Sequence, residues 1–283
     1  MSNHRFTRRR LLATSAAAGL ALPFIARPAA AAATFAKIKE AGVLRIGCEA
    51  TYPPFTFRDG GEIVGYDVDL AAVMCETLGV EAEFIDTQWS GIIPALYAGR
   101  FDMIMSSMSY RKERLEKVAF SIPYAEASQA LLIRAEDAGE ITAISGMTGK
   151  VLGVKLGSPG ESMKDELSAE IAAAAGAGFS DVKIYDDHPA AYLALSQGSV
   201  DGVLNTLPTL GQVMKDRPGA YALVRPVGKP NWAGLAARME DTELVAFLDT
   251  ELTRLKENGE IYALQEKWFG FEMDLADEIP SFA

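Results

Sequence analysis

Two segments far apart in the chain follow one pattern. Residues 95–105 read as a helix, Gly99, a polar residue, Asp102 and an apolar strand. Residues 193–204 read as a helix, Gly198, a polar residue, Asp201 and an apolar strand. A unit that alternates helix with buried strand folds as α/β. Its recurrence predicts two similar α/β lobes. Around them, strands are expected at 43–48, 63–66, 82–86, 101–105, 129–133, 150–154, 182–185 and 200–204. Asp67 is placed to cap a helix closed by Gly79, and Ser90 a short helix ending at Gly99. Pro159 suits the first turn of a helix starting near Glu161. The tail over 241–269 reads as two helices broken at Gly259.

The front of the chain reads as an address. Arg5, Arg8, Arg9 and Arg10 precede an apolar run from Leu11 to Ile25, and small residues end in Ala29 to Ala33. This is the charged region, apolar core and small-residue cleavage site of an export signal. Thr7-Arg8-Arg9-Arg10-Leu11-Leu12 resembles a twin-arginine signal. The expected signal is 1–33, with cleavage near Ala33 and a periplasmic destination. The run is too short and alanine-rich for a good membrane span.

The chain carries a net charge of −11. Residues 1–33 hold five arginines and no acid, so their removal leaves −16. Nucleic acid needs a basic footprint, and this charge argues against it. It argues equally against anionic lipid surfaces. Cys48 and Cys75 read as buried small hydrophobes, with a bridge between them left open. His188 is the only histidine after residue 33. One histidine and two unclustered cysteines make no transition-metal set, and no cofactor is expected.

Three pieces end strand-like runs and converge on one kind of site: Gly47-Cys48-Glu49-Ala50-Thr51-Tyr52-Pro53-Pro54-Phe55, Trp89-Ser90-Gly91-Ile92-Ile93-Pro94, and the run from Asp102 through Ser109 to Arg114. Open α/β sheets bind ligands at the carboxyl ends of their strands. An aromatic wall, a hydroxyl cluster and an arginine suit a small zwitterion or carboxylate. Arginine's planar fork matches a carboxylate in bidentate fashion. By spacing alone, however, Arg114 reads as a solvated helix charge among Arg111, Lys112, Glu113 and Glu116. Serines at a strand end also serve as plain turn formers.

These residues resemble a known family. Gly65-Tyr66-Asp67-Val68-Asp69-Leu70, Ile93-Pro94-Ala95-Leu96, Asp102 to Arg114, Phe120-Ser121-Ile122-Pro123-Tyr124 and Glu266-Lys267-Trp268-Phe269-Gly270 occur in the order and spacing of the periplasmic solute-binding proteins of polar amino-acid ABC importers. The resemblance implies a type II, two-lobed periplasmic-binding-protein fold whose lobes close on the ligand about two crossovers. Lobe 1 would hold 34–125 and 234–283, and lobe 2 with its crossovers 126–233. The implied partners are an amino acid or related carboxylate and the permease transmembrane subunits, with the binding protein a monomer.

The resemblance also implies residue roles. Arg114, Ser107 and Ser109 would hold the ligand carboxylate, with Ser106 near it. Tyr52 and Trp89 would enclose the side chain. Glu49 matches a position that is acidic in members binding basic side chains, although a surface carboxylate is an equal reading. Ser158 and Thr206 would reach the ligand from lobe 2. There the chain departs from the pattern: the family usually has an acid at the position of Thr206, which receives the ligand ammonium. Either the ligand lacks a primary α-ammonium, or another acid such as Glu161 or Asp187 reaches the cleft. Two other readings remain. One is a dehydratase of the cyclohexadienyl type, for which Thr206 removes the obvious acid. The other is a ligand-sensing module for a membrane signalling partner.

Overall fold

The structure is a computed structural model that describes residues 27–281, with side chains from Thr34. The export-signal reading therefore falls mostly outside the described residues. Residues 27–33 form the start of α1 (Arg27–Ala41).

The first unit opens with β1 (Val43–Cys48) and a small antiparallel sheet of β2 (Thr51–Tyr52), β3 (Thr56–Asp59) and β4 (Glu62–Val64). It continues through α2 (Tyr66–Leu78), β5 (Glu81–Asp86), α3 (Ile92–Tyr97), β6 (Met103–Ser109), α4 (Lys112–Leu115), β7 (Ala119–Phe120) and β8 (Ala125–Glu126). The second unit holds β9 (Gln129–Arg134), β10 (Val151–Lys155), α5 (Pro159–Ala175), β11 (Asp181–Tyr185), α6 (His188–Ser196), β12 (Gly202–Thr206), α7 (Leu207–Asp216) and β13 (Tyr221–Val227). The chain then returns through β14 (Trp232–Ala237), α8 (Thr242–Glu257) and α9 (Glu260–Phe269) to pack on the first unit.

The two main sheets share a plan. One runs β5-β1-β6-β14-β7, with β8 also on β14, and the other β11-β10-β12-β9-β13. In each, three parallel strands meet an antiparallel fourth. The repeated aspartates explain part of this likeness. Asp102 donates its N–H to the Arg45 carbonyl and accepts the Arg45 N–H on its carboxylate. Asp201 does the same with Val151. Each closes the start of a parallel pair whose backbone donor would otherwise lack a partner.

The chain crosses between sheets at 127–128 and returns at 228–231. The crossings touch: Ala127 donates its N–H to the Asn231 carbonyl, and the Asn231 N–H reaches the Ser128 hydroxyl. Each sheet has its own apolar packing, with Leu44, Ile46, Leu70 and Leu248 in one unit and Leu131, Leu152, Leu167 and Leu204 in the other.

Several local expectations are corrected. The strand expected over 63–66 stops at Val64, and Tyr66 opens α2. Asp67 does not cap that helix: Gly65 stands at the cap, and the Asp67 side chain turns inward to accept the Tyr124 hydroxyl. Gly65 has φ 136° and lies against the Phe55 carbonyl, where a Cβ would sit at 2.1 Å. Ser90 lies inside a 3₁₀ turn (Trp89–Gly91), and Gly91 takes the cap of α3. The strands expected to end at 105, 154 and 204 reach Ser109, Lys155 and Thr206. In each case the apolar run marks the buried middle, and the polar residues beyond it are still paired strand. Cys48 and Cys75 are both buried and free.

Candidate functional site

The carboxyl ends of β1, β6, β10 and β12 face a small cavity of about 30 Å³ between the two sheets. It is lined by Glu49, Tyr52, Trp89, Ser106, Ser107, Ser109, Arg114, Lys155, Ser158, Pro159, His188, Asn205 and Thr206. All nine residues singled out in the sequence stand on this wall. A wider groove of about 720 Å³ opens beside Trp89 and Arg114, flanked by Arg111, Glu113, Glu116 and Lys117.

Arg114 is 6% exposed. It lies on the short helix α4, which follows directly on β6, so its side chain folds back over the strand end. One guanidinium nitrogen donates to the carbonyl and hydroxyl of Ser109, each at 2.9 Å. The other donates to the Gly157 carbonyl of the second unit at 2.8 Å. The guanidinium also lies 5.1 Å from the Trp89 ring centroid. Among the described residues it pairs with no carboxylate. Burial pulls it down to about 9, helped by the Arg111 charge and opposed by Glu113, so it remains cationic at neutral pH. The reading as a solvated helix charge is thus corrected: the side chain is buried beside a cavity.

The serines divide the work. Ser106 accepts the Glu49 N–H on its hydroxyl and so braces the end of β1. Ser107 has φ 47°, a left-handed conformation inside a strand that non-glycine residues seldom adopt. Its N–H donates to the Tyr124 hydroxyl, which in turn donates to Asp67. Among the described residues, the buried Ser107 hydroxyl has no partner. Strain held by a buried network beside a cavity is a mark of function. Burial lifts the Asp67 carboxyl to about 7, with the Tyr124 hydroxyl opposing.

The second unit closes over these groups. Tyr52 donates its hydroxyl to Asn205 Oδ1 at 2.8 Å and shares a hydrogen bond with the Thr206 hydroxyl at 2.9 Å. Trp89 Nε1 donates to the Gly157 carbonyl at 3.1 Å. Ser158 caps α5 by accepting the Glu161 N–H. Glu161 turns to the Gly157 N–H, and Asp187 caps α6 through the Ala190 N–H. Neither lines the cavity, although the Asp187 charge acts on both Glu49 and Lys155.

Lys155, Pro159, His188 and Asn205 were not anticipated as site residues. Lys155 Nζ forms a buried ion pair with Glu49. It lies 5.0 Å from the Trp89 ring centroid and 5.7 Å from that of Tyr52. Burial pushes the Glu49 carboxyl up and the Lys155 ammonium down, each opposed by the partner's charge. Glu49 is therefore no surface carboxylate. His188 sits between Tyr52 and Tyr192, with both ring nitrogens buried and unpartnered. Burial, reinforced by the Lys155 charge, lowers it well below the usual histidine range and keeps it neutral. The sequence did hold a signal: Lys155 extends one apolar strand and Asn205 with Thr206 another, at the ends where α/β sheets bind ligands.

Among the described residues, no helix is long and apolar enough to cross a membrane. Nor do three or more His, Cys, Asp or Glu side chains gather there as metal ligands.

The chain is similar to known binding proteins over most of its length. It is 30% identical to the L-cystine-binding protein TcyJ of Escherichia coli over 238 residues, covering 84% of this chain and 86% of that one. The crystal structure of the ancestral amino acid-binding protein AncCDT-1, a precursor of cyclohexadienyl dehydratase, matches with a TM-score of 0.74 and 32% identity. That match covers 83% of this chain and 99% of that one. An ancestral arginine-binding protein bound to arginine matches with a TM-score of 0.71 and 35% identity, covering 81% and 99%. The fold is the two-lobed α/β fold of type II periplasmic binding proteins, as expected. The model of one family spans residues 44–271, and on that match the chain belongs to the bacterial extracellular solute-binding proteins, family 3.

Proposed function

We propose that the chain captures an amino-acid-like carboxylate between its two lobes and delivers it to the permease subunits of an ABC importer. The observation that carries this reading is Arg114. A guanidinium 6% exposed, fixed by Ser109 and Gly157 and, among the described residues, paired with no carboxylate while the cavity's Glu49 is engaged by Lys155, is built to receive an anion. The buried hydroxyl of Ser107 and the neutral ring of His188 offer further hydrogen bonds to the same guest. Cystine- and arginine-binding relatives support the amino-acid class.

The lobe-2 wall narrows that class. Thr206 stands where the family acid is expected, and Glu49 is the one carboxylate on the cavity wall, already engaged by Lys155. A ligand ammonium enclosed without an anionic partner carries a heavy desolvation cost. The preferred ligand therefore lacks a free α-ammonium: an N-substituted or quaternary amino acid, or an organic acid. The same wall supports binding over a dehydratase activity, because Glu49, the carboxyl group lining it among the described residues, is tied to Lys155. The protein acts as an exported monomer, and its lobes close about the crossings at 127–128 and 228–231.

A thermal-shift screen of the chain from Thr34 onward, against amino acids, betaines and small organic acids, tests the reading. A ligand that binds only the native state raises Tm. Arg114→Ala is expected to weaken the best hit by about 100-fold or more, since it removes charge-assisted bonds in a buried site. Unchanged affinity in that variant rejects the site.

A further inference from the structure

Lys155 stands where a ligand's cationic tail would stand. Its ammonium meets the Glu49 carboxylate, and the rings of Trp89 and Tyr52 lie 5.0 and 5.7 Å away. An acid framed by two aromatic faces is the box that holds a guanidinium or ammonium group. Here the cation comes from the second lobe of the same chain, 106 residues away. Both members of the pair are almost fully enclosed, Lys155 at 3% exposure and Glu49 at 5%.

From this we infer that Lys155 is a built-in cation that fills the tail box and fixes specificity against basic ligands. The inference rests on the carboxylate-capture reading and adds the other end of the ligand. The charge balance agrees. Among the described residues, the ionised side chains lining the cavity are Arg114, Lys155 and Glu49, a sum of +1 with His188 neutral, while Asp187 acts on Glu49 and Lys155 from outside that wall. A monoanion neutralises that wall. A basic amino acid adds a second cation beside Lys155 and leaves it without a counter-charge, which a closed site penalises. The ligand class is a carboxylate with a short uncharged tail.

Two compounds separate the possibilities. One is 4-guanidinobutyrate, a carboxylate with a cationic tail and no α-amine, and the other is 4-ureidobutyrate, its isostere with an uncharged tail and the same carboxylate. Calorimetry is run on the native chain, Lys155→Ala and Lys155→Met, the last keeping the aliphatic stem. The native chain is expected to prefer the ureido compound. Lys155→Ala is expected to reverse that order, shifting the guanidino-to-ureido Kd ratio by about 100-fold or more. Native binding of 4-guanidinobutyrate as tight as that of 4-ureidobutyrate overturns the inference, and this arm needs no variant to fold. A Lys155→Ala protein that is folded by circular dichroism yet binds neither compound also overturns it, because the emptied box is then no cation site. Arg114→Ala is the separate control. If it leaves ureido binding unchanged, carboxylate capture fails, while the Lys155 inference still stands or falls on the Kd ratio.

Discussion

The two lobes share a strand plan and a helix–glycine–aspartate–strand repeat, yet they bring different chemistry to the cleft. The first lobe presents an arginine, an acid, two aromatic faces and a strained serine. The second presents a lysine, a neutral histidine and uncharged polar groups. The matching strands differ as well. β6 bends through the positive φ of Ser107 and a register shift against β14, whereas β12 keeps an unbroken register with β9. One architecture can thus be loaded unevenly. On the proposed function, the lobe that would grip a head group carries the strain, and the lobe that would close on it carries the selection.

The charged contact between the lobes is the sharpest place to break this comparison. Glu49→Gln leaves the Lys155 ammonium buried without its partner, and a loss of about 3–5 kcal/mol in unfolding free energy is expected. Chemical denaturation measures it. Adding Lys155→Met to that variant should recover most of the loss, which marks the cost as that of an unpaired charge. If Glu49→Gln alone is neutral, the two lobes do not share a buried pair.

A second break is confined to the first lobe. Asp67 holds a proton in the folded chain up to about pH 7, whereas an unfolded aspartate releases it near the ordinary value of 3.8. Between these values the native state binds more protons, so this group's contribution to stability falls as pH rises from about 4 to 7 and then levels. Asp67→Asn removes that slope. The variant is expected to gain on the native chain by a few kcal/mol, on the order set by about 1.4 kcal/mol per pKa unit, at pH 8 relative to pH 5. Denaturation at both pH values tests this, and a difference that stays constant with pH rejects it.

The mildest break tests the likeness of the lobes. Asp102→Ala and Asp201→Ala each strip a backbone N–H of its acceptor, and a cost of about 1–3 kcal/mol apiece is expected. Each also pairs with an arginine, Arg45 and Arg134 respectively, but Asp102 is the more buried of the two, so its removal should be the costlier. Equal Tm shifts would mean that the deeper burial of Asp102 adds nothing.

Much of this was legible residue by residue. Val43–Cys48 and the helix closed at Gly79 follow from an apolar run and a left-handed stop. Glu49, Tyr52 and the serines were legible as residues at strand ends, where α/β folds open their clefts, and their separate roles needed the family resemblance. Arg114 needed the family resemblance, since its neighbours in sequence are charged and its burial is not. Asp67 misled because an acid at a helix start usually caps it, and here the Tyr124 hydroxyl outcompeted the helix backbone. Lys155 was passed over because a lysine after a strand normally goes to solvent.

The sequence by itself determined the kinds and order of the elements, the glycine stops, and which polar residues sit at strand ends. Those are consequences of local periodicity and backbone sterics. Only the tertiary structure decided that Lys155 of one lobe meets Glu49 of the other, that Gly157 lends its carbonyl to Arg114, and that Tyr124 holds Ser107 in its strained turn. Those contacts depend on how two separately packed sheets approach across the crossings at 127–128 and 228–231. Burial then fixes their strength, because a charge enclosed between lobes must find its partner there and not in water.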